Sequence, residues 1–191
     1  RIFSTAGSVA LIFQFMRAVR QLLIPLFGVI VGLDAAAIGL IYALSAAVDM
    51  SMFYPVGIAM DRWGRKWTGI PSMLVFVIGF VTLPLSQGFY SLLFSGALLG
   101  FANGLSVGLV QIIGMDLSPP DARGEFLGVW RLISDAGWAA GPLIAGVLVD
   151  IASLSVASFS TAGLGFLGGV VFLFMVPETF KPAKGRIKNK T

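Results

Sequence analysis

The 191-residue sequence contains no cysteine and no histidine. These absences exclude disulfides, thiol nucleophiles, Cys/His metal sites and histidine proton relays within the chain. The sequence also has no cluster of carboxylates, so it offers no nucleophile with a neighbouring side chain to act as its base. The sequence therefore does not predict an enzyme, a cofactor site or a metal site.

Charged side chains are also scarce, at 12% of residues, whereas soluble domains carry roughly 25%. Hydrophobic residues make up 57% of the chain, and the mean hydropathy is +0.93. A soluble fold of this length could not bury so much apolar surface. The net charge of +4 comes from basic residues spread over short connectors between apolar runs. That spread indicates an orientation in a membrane rather than a nucleic-acid-binding face.

Six apolar runs follow one another along the chain. They cover residues 7–31, 36–60, 67–86, 89–114, 125–149 and 154–176. About 20 apolar residues cross a hydrocarbon core of roughly 30 Å, so each run is long enough to span a membrane. The runs lack the two-residue alternation of barrel strands, which favours helices. The predicted fold is an all-α membrane protein with a six-transmembrane-helix bundle over residues 1–180 and a basic tail at 181–191.

Lysine and arginine fall in the connectors after the second and fourth runs and in the tail, and are absent from the other three connectors. By the positive-inside rule, both ends of this multi-pass chain lie in the cytoplasm, and Asp34 and Asp150 mark outer turns. We expect the plasma (inner) membrane as its location. Because the chain begins with Arg1 and shows no cleavage-site pattern, we also expect a piece of a longer protein without a signal peptide.

The connector after the second run carries a ten-residue motif. It reads Gly57-Ile58-Ala59-Met60-Asp61-Arg62-Trp63-Gly64-Arg65-Lys66. The segment resembles the G-x-x-x-D-R-x-G-R-K/R cytoplasmic loop of the major facilitator superfamily, and it lies between the second and third spans, as in that family. An ordinary basic connector is the alternative interpretation. Gly57 would allow close helix contact, Gly64 a tight turn, and the Asp61 carboxylate could face a helix N-terminus.

A second resemblance lies in the fifth run, at Gly137, Gly141, Pro142 and Gly146. It is similar to the glycine-proline motif in the fifth helix of family exporters, departing at Ala145, and to patterns in the eleventh helix. The fourth run lacks the arginine typical of the family's fourth helix, and residues 176–179 look like the end of the twelfth. The resemblance implies helices seven to twelve, one half of the transporter fold. A missing N-terminal six-helix half or a second copy would complete it.

Glycine placement predicts how two of the helices pack. The fourth run has glycine at every fourth position, which predicts a groove of small residues where another helix can approach closely. These residues are Gly96, Gly100, Gly104 and Gly108. In the fifth run, Pro142 leaves a backbone carbonyl without its partner, so we expect a bend there.

Polar residues inside the apolar runs are the candidates for a substrate pathway. They are Gln14, Arg17, Arg20, Asp49, Asn103 and Gln111. Each central arginine costs about 2.5 to 3.5 kcal/mol in lipid, so both should face protein or water. Arg20 and Asp49 lie almost equally far in sequence from the Asp34 turn, hence at one depth. They form either a structural ion pair or part of a functional site.

If Arg20 pairs with Asp49, Arg17 is left over, and we hypothesise that it faces a central cavity and either attracts an anionic group of the solute or lines the gate. Arg131 and Asp135 are four residues apart in the fifth run and can pair along one helix. The family resemblance implies that the seventh and tenth helices line the cavity. It therefore favours four of the candidates in the first and fourth runs: Gln14, Arg17, Asn103 and Gln111.

The same resemblance implies secondary transport of a small solute by alternating access between two six-helix halves. The glycine-proline motif favours efflux of a drug or metabolite, and proton antiport would have Asp49 or Asp135 as the proton carrier. The alternative is a non-transporting membrane scaffold or partner-binding half. The sequence does not identify the solute.

Overall fold

The computed structural model describes residues 2–176 and residue 178, and within those residues the chain forms eight α-helices. They are α1 (Ile2–Ile30), α2 (Ala35–Ser51), α3 (Phe53–Trp63), α4 (Lys66–Thr82), α5 (Phe89–Leu105), α6 (Leu109–Leu117), α7 (Arg123–Ile151) and α8 (Leu154–Met175). Short 3-10 turns at Leu83–Leu85 and Pro120–Ala122 complete the connections.

Six helical segments of the described chain are long and apolar enough to cross a membrane. They run over Phe3–Ile30, Ala35–Trp63, Lys66–Leu85, Phe89–Leu117, Pro120–Ile151 and Leu154–Met175. The predicted bundle of six transmembrane helices is confirmed. We number these spans one to six; the second joins α2 to α3 and the fourth joins α5 to α6. The predicted basic tail at residues 181–191 lies outside the described residues.

The six spans pack as two related groups of three. The first span packs mainly against the fifth, and the second mainly against the fourth. The third span also packs on the fourth, and the sixth on the first, while the third and sixth meet each other. These contacts are unchanged when the first span is exchanged with the fourth, the second with the fifth and the third with the sixth. This is the pattern of the internal three-helix repeats found in many transporter folds.

Large side chains fill the space where α1, α4 and α8 meet. Phe13, Phe76, Phe80 and Phe172 are fully buried, and the rings of Phe13 and Phe172 meet edge to face with centroids 6.3 Å apart. Because lipid tails are as apolar as these side chains, the hydrophobic effect does not hold helices together in a membrane. Close packing of this kind supplies much of the attraction between spans.

Glycines bring the fourth span against the second. A Cβ at Gly100 would collide with the Ser45 carbonyl oxygen, and one at Gly104 would lie 2.8 Å from the Asp49 carbonyl oxygen. The predicted groove is confirmed at these positions and at Gly96, whose Cβ would be 3.2 Å from Ile41.

At Gly108 the groove prediction is wrong. The four-residue spacing assumed one continuous helix, but the fourth span is interrupted between Leu105 and Leu109. Gly108 adopts φ +72° and precedes α6, a left-handed conformation that glycine reaches without steric cost.

The fifth span uses its glycines against the first. A Cβ at Gly137 would collide with the Leu11 carbonyl oxygen, and one at Gly141 would lie 2.9 Å from the Phe15 carbonyl oxygen. Gly146, the third glycine of the motif, has open space around it. Helix α7 continues through Pro142, and the bend there stays a prediction.

The turns that precede α2 and α8 are short and capped. Asp34 begins α2 by accepting a hydrogen bond from the Ala37 backbone N–H at 2.8 Å, as expected for an N-cap. Ser153 caps α8 in the same way through the Val156 N–H at 3.2 Å. Asp34 therefore lies in a turn as predicted, whereas Asp150 lies in the last turn of α7.

Candidate functional site

Arg20 and Asp49 meet inside the bundle. Arg20 is 5% exposed. One of its terminal nitrogens donates to the Leu99 carbonyl oxygen at 3.0 Å, and the other lies 3.9 Å from Asp49 Oδ2. The predicted ion pair is thus present. Because both side chains are shielded from water, removing either one would strand a buried charge.

Asp49 has one oxygen occupied and one without a partner. Asn103 donates its side-chain N–H to Asp49 Oδ2 at 2.6 Å, which ties the second span to the fourth. Asp49 Oδ1 is buried and accepts no hydrogen bond from the described part of the chain. A buried acceptor without a partner is costly, and such atoms often mark a site for water, an ion or a proton.

Arg17 is left without an ion-pair partner among the described residues, as expected, but its guanidinium is held by hydrogen bonds. Its Nη2 donates to the carbonyl oxygen of Ser106 and to the Ser106 hydroxyl at 2.9 Å, while Nη1 donates to Gln14 Oε1 at 3.3 Å. The physical reason is the break after Leu105: Ser106 lies between α5 and α6, and its carbonyl oxygen accepts the Arg17 guanidinium as well as the Leu109 backbone N–H at 3.1 Å. Arg17 Nε remains buried and unbonded among the described residues.

A cleft of about 370 Å³ lies between α1, α6 and α7. Its lining is Gln14, Val110, Gln111, Met115, Leu127, Trp130, Arg131, Ser134 and Asp135. Arg131 Nε lies 3.4 Å from Asp135 Oδ2, so the predicted pairing along one helix is present. The volume and the mixture of apolar and polar groups are typical of a small-molecule site.

The predicted pathway residues therefore divide into two groups. Gln14 and Gln111 line the cleft, whereas Arg20, Asp49 and Asn103 do not and form a network between α1, α2 and α5. Arg17 belongs to neither group, and it donates a hydrogen bond to Gln14 at the edge of the cleft.

The motif at residues 57–66 folds into a capped turn. Gly64 has φ +100°, so the predicted tight turn is present at a conformation that L side chains rarely adopt. The carboxylate at the N-terminus of α4 belongs to Glu178. It accepts the backbone N–H of Arg65 at 2.9 Å and that of Lys66 at 3.0 Å. The expectation that Asp61 takes such a position is not met at this helix.

Arg65 joins three elements at the same place. Its Nε lies 3.0 Å from Asp116 Oδ2 at the end of α6, and its Nη1 lies 3.5 Å from Asp61 Oδ1. The same Nη1 donates to the Met60 carbonyl oxygen at 2.7 Å. Gly57 has open space around it, so its contact with another helix is not made within the described chain.

Sequence reasoning missed three residues of these networks. Ser106 holds Arg17, but nothing in a continuous apolar run signals that a helix ends there. Asp116 could have been found, since it is the one acidic residue of the fourth span. Glu178 was seen as part of a terminal pattern, but its role depends on a contact between distant residues. Among residues 2–176 and 178, no group of three or more acidic side chains is placed to hold a metal ion.

Comparison with known proteins agrees with this architecture. The family profile described as Major Facilitator Superfamily matches residues 6–191. The chain is 34% identical over 122 residues to multidrug resistance protein MdtG of Proteus mirabilis, a match covering 64% of this chain and 30% of that protein. It is 24% identical over 184 residues to the multi-drug resistance efflux pump PmrA of Streptococcus pneumoniae, covering 94% of this chain and 44% of the pump.

Among solved structures, the crystal structure of the peptide transporter POT superposes with a TM-score of 0.75 and 25% sequence identity. That match covers 94% of this chain and 40% of the POT chain. The chain thus spans less than half the length of these relatives. With the family profile matched along nearly its whole length and six spans arranged as in a solved member, this chain is an integral multi-pass membrane protein that belongs to the major facilitator superfamily.

Proposed function

We propose that the chain is one six-helix half of a secondary transporter that moves a small solute by alternating access. The observation that carries this proposal is the cleft between α1, α6 and α7, because it combines an apolar wall with the amides of Gln14 and Gln111. Polar groups within an otherwise apolar span favour a solute pathway. We place the half at helices seven to twelve, as the motifs in the sequence favour.

The experiment measures solute flux through the full-length protein in proteoliposomes. Gln14→Leu and Gln111→Leu each remove a polar group from the cleft, and we expect about tenfold slower transport, the effect of one lost hydrogen bond to a bound solute. Gln87→Leu, at an exposed position outside the cleft, is the matched control and should transport normally. Equal rates in all three variants would contradict the proposal, and no flux in the unaltered protein would favour the scaffold alternative.

The partner in this proposal is a second six-helix half, or a second copy, packed against the second and fifth spans. These are the least buried spans, with 11% and 22% of their apolar windows covered. Open glycines on them support a closely packed helix at this surface. Examples are Gly39, Gly128 and Gly146. The chain has no native cysteine, so a single cysteine at Gly39 or Gly146, oxidised together with one cysteine introduced into the other half, should form an inter-half disulfide in the membrane.

We propose that both ends lie in the cytoplasm and that the protein resides in the plasma membrane. The distribution of lysine and arginine supports this orientation. Cysteines introduced at Arg62 and at Leu33 should react with a membrane-impermeant reagent from opposite sides. Labelling of both from one side would contradict the six-span arrangement, and labelling of the Arg62 position from outside would reverse the proposed orientation.

The direction we propose is efflux of a drug-like or metabolite solute. The similarity to multidrug resistance protein MdtG and to the efflux pump PmrA supports it, as does the glycine-proline motif. We keep the hypothesis that Arg17 acts on an anionic group of the solute, now through Gln14, to which it is hydrogen-bonded. Arg17→Gln should slow transport of anionic solutes while leaving membrane insertion intact. Unchanged transport kinetics would remove this role for Arg17.

Proton antiport is the coupling we propose, with Asp49 as the group that gains and loses the proton. Its unbonded, buried Oδ1 is an atom that a proton could occupy. Asp49→Asn should abolish transport driven by a pH gradient while solute exchange without a gradient continues, and Asp49→Glu should restore part of the driven transport. Gradient-driven accumulation at the normal level in Asp49→Asn would rule Asp49 out.

A further inference from the structure

We propose that the chain carries a binding site for one membrane glycerophospholipid on the surface formed by α4 and α8. One acyl chain would lie in the groove between these helices, and the phosphate would be bound at the groove's end by Lys66. The site is separate from the cleft proposed to bind the transported solute.

The groove has a volume of about 280 Å³ and an entirely apolar set of lining side chains. They are Ile70, Met73, Leu74, Val77, Gly165, Phe166, Gly169, Val170 and Leu173. Glycine opens it: at Gly169 an added Cβ would lie 3.7 Å from Met73, so a larger side chain would enter the groove. Leu74 and Phe166 at its rim are 51% and 55% exposed, as expected for side chains that face lipid.

A second cavity of about 310 Å³ adjoins the groove, because Ile70 lines both. Its walls carry Trp63 and Trp67, whose ring centroids are 6.1 Å apart and which are 58% and 63% exposed. Tryptophan concentrates at the level of lipid head groups, where its apolar ring and polar N–H are both accommodated. The two cavities therefore run from a head-group environment into an acyl-chain environment.

Lys66 supplies the charge at this end. Its Nζ donates to the Leu173 carbonyl oxygen at 2.8 Å, which fixes the ammonium beside the cavity that it lines. An ammonium has three N–H donors, so two are available for phosphate oxygens. Glu178 also lines this cavity, but its two carboxylate oxygens accept the backbone N–H groups of Arg65 and Lys66. Its carboxylate therefore faces the start of α4.

A phospholipid fits these cavities better than a solute or a protein segment. The groove offers no polar group to orient a solute, whereas solute sites need several. Of the second and fifth spans, on which the second half is proposed to pack, only the last residue of the second, Trp63, lines either cavity. Lipid surrounds an exposed apolar groove of a membrane protein in any case, and here the groove ends at a cation.

The test is native mass spectrometry of the full chain in detergent, titrated with dioleoylphosphatidylglycerol. Gly169→Leu should weaken retention of the lipid about tenfold, the loss expected when roughly two methylenes are excluded from the groove. Gly163→Leu is the matched control, since it lies on the same helix with open space around it, and it should bind normally. Gly169→Ala guards against misfolding, because its Cβ makes only ordinary contact; it should give a smaller but measurable loss.

A second arm tests the phosphate. Lys66→Gln should bind phosphatidylglycerol about fivefold more weakly, the effect of one lost cation near the head group, while binding of dioleoylglycerol, which lacks phosphate, stays unchanged. Arg123→Gln removes a charge from another connector on the same side and should alter neither lipid. Normal retention in Gly169→Leu would overturn the groove assignment. An equal loss of both lipids, or of neither, in Lys66→Gln would overturn the phosphate assignment.

Discussion

Two arginine–carboxylate pairs lie in different parts of this molecule, one within the bundle and one at the motif of residues 57–66. Arg20 and Asp49 are 3.9 Å apart with side chains 6% and 14% exposed. Arg65 and Asp116 are closer, at 3.0 Å, but Asp116 is 26% exposed. We expect the fold to depend more on the Arg20–Asp49 pair, although its two atoms are farther apart. Water can solvate Asp116 if its partner is removed, whereas little water reaches the interior pair.

The contacts around Asp49 also connect whole spans more closely than the contacts at the motif do. Around Asp49 the backbones of the second and fourth spans touch through glycine, and each polar side chain bonds to another span. At the motif, by contrast, the arginine and the acids bond largely to helix ends and to a turn. We therefore expect changes in the interior to affect stability strongly, and changes at the motif to affect it weakly.

The largest effect should come from Asp49→Leu, which leaves the Arg20 charge buried without its acid. We expect a loss of about 3 to 5 kcal/mol in the free energy of unfolding, measured by SDS titration in mixed micelles. The double variant Arg20→Met/Asp49→Leu is the control, and it should recover most of that loss because no unpaired charge remains. If the double variant were as unstable as the single one, packing rather than charge would explain the result.

Gly104→Ala should have the next largest effect. The new methyl group would lie 2.6 Å from Met52 Cβ, so α5 must move away from the second span, at a cost of about 1 to 3 kcal/mol. Gly57→Ala is the matched variant at the motif, where a methyl group meets nothing within 4 Å. Its stability should stay the same or rise by up to about 1 kcal/mol through better helix propensity. Equal destabilisation by both substitutions would remove the contrast between the regions.

The smallest effect should come from Glu178→Gln at the motif. A carboxylate near the start of a helix is worth about 0.3 to 1 kcal/mol, and the amide retains an oxygen that accepts one of the two backbone N–H groups. The difference from the unaltered protein should shrink as salt is raised from low to high ionic strength, because exposed charges are screened. A loss as large as that of Asp49→Leu, independent of salt, would show that this cluster behaves as a buried one.

The sequence predicted much of the site because its signals are local. Six apolar runs predicted the six spans, and equal distances from the Asp34 turn predicted that Arg20 and Asp49 lie at one depth. The turn at Gly64 followed from the motif itself. Ser106 was missed as the hydrogen-bond partner of Arg17 because its position depends on the end of α5, which an uninterrupted apolar run conceals. The groove prediction at Gly108 was wrong for the same reason.

Composition and periodicity by themselves determined that this chain is helical and lies in a membrane, because apolar runs of this length can be satisfied in lipid only as helices. Only the tertiary structure decided which polar atoms meet. It brought Asn103 to Asp49, Ser106 to Arg17 and Glu178 to the start of α4. Such contacts depend on the rotation and separation of whole helices, which glycine packing and helix breaks set across distances that no local pattern records.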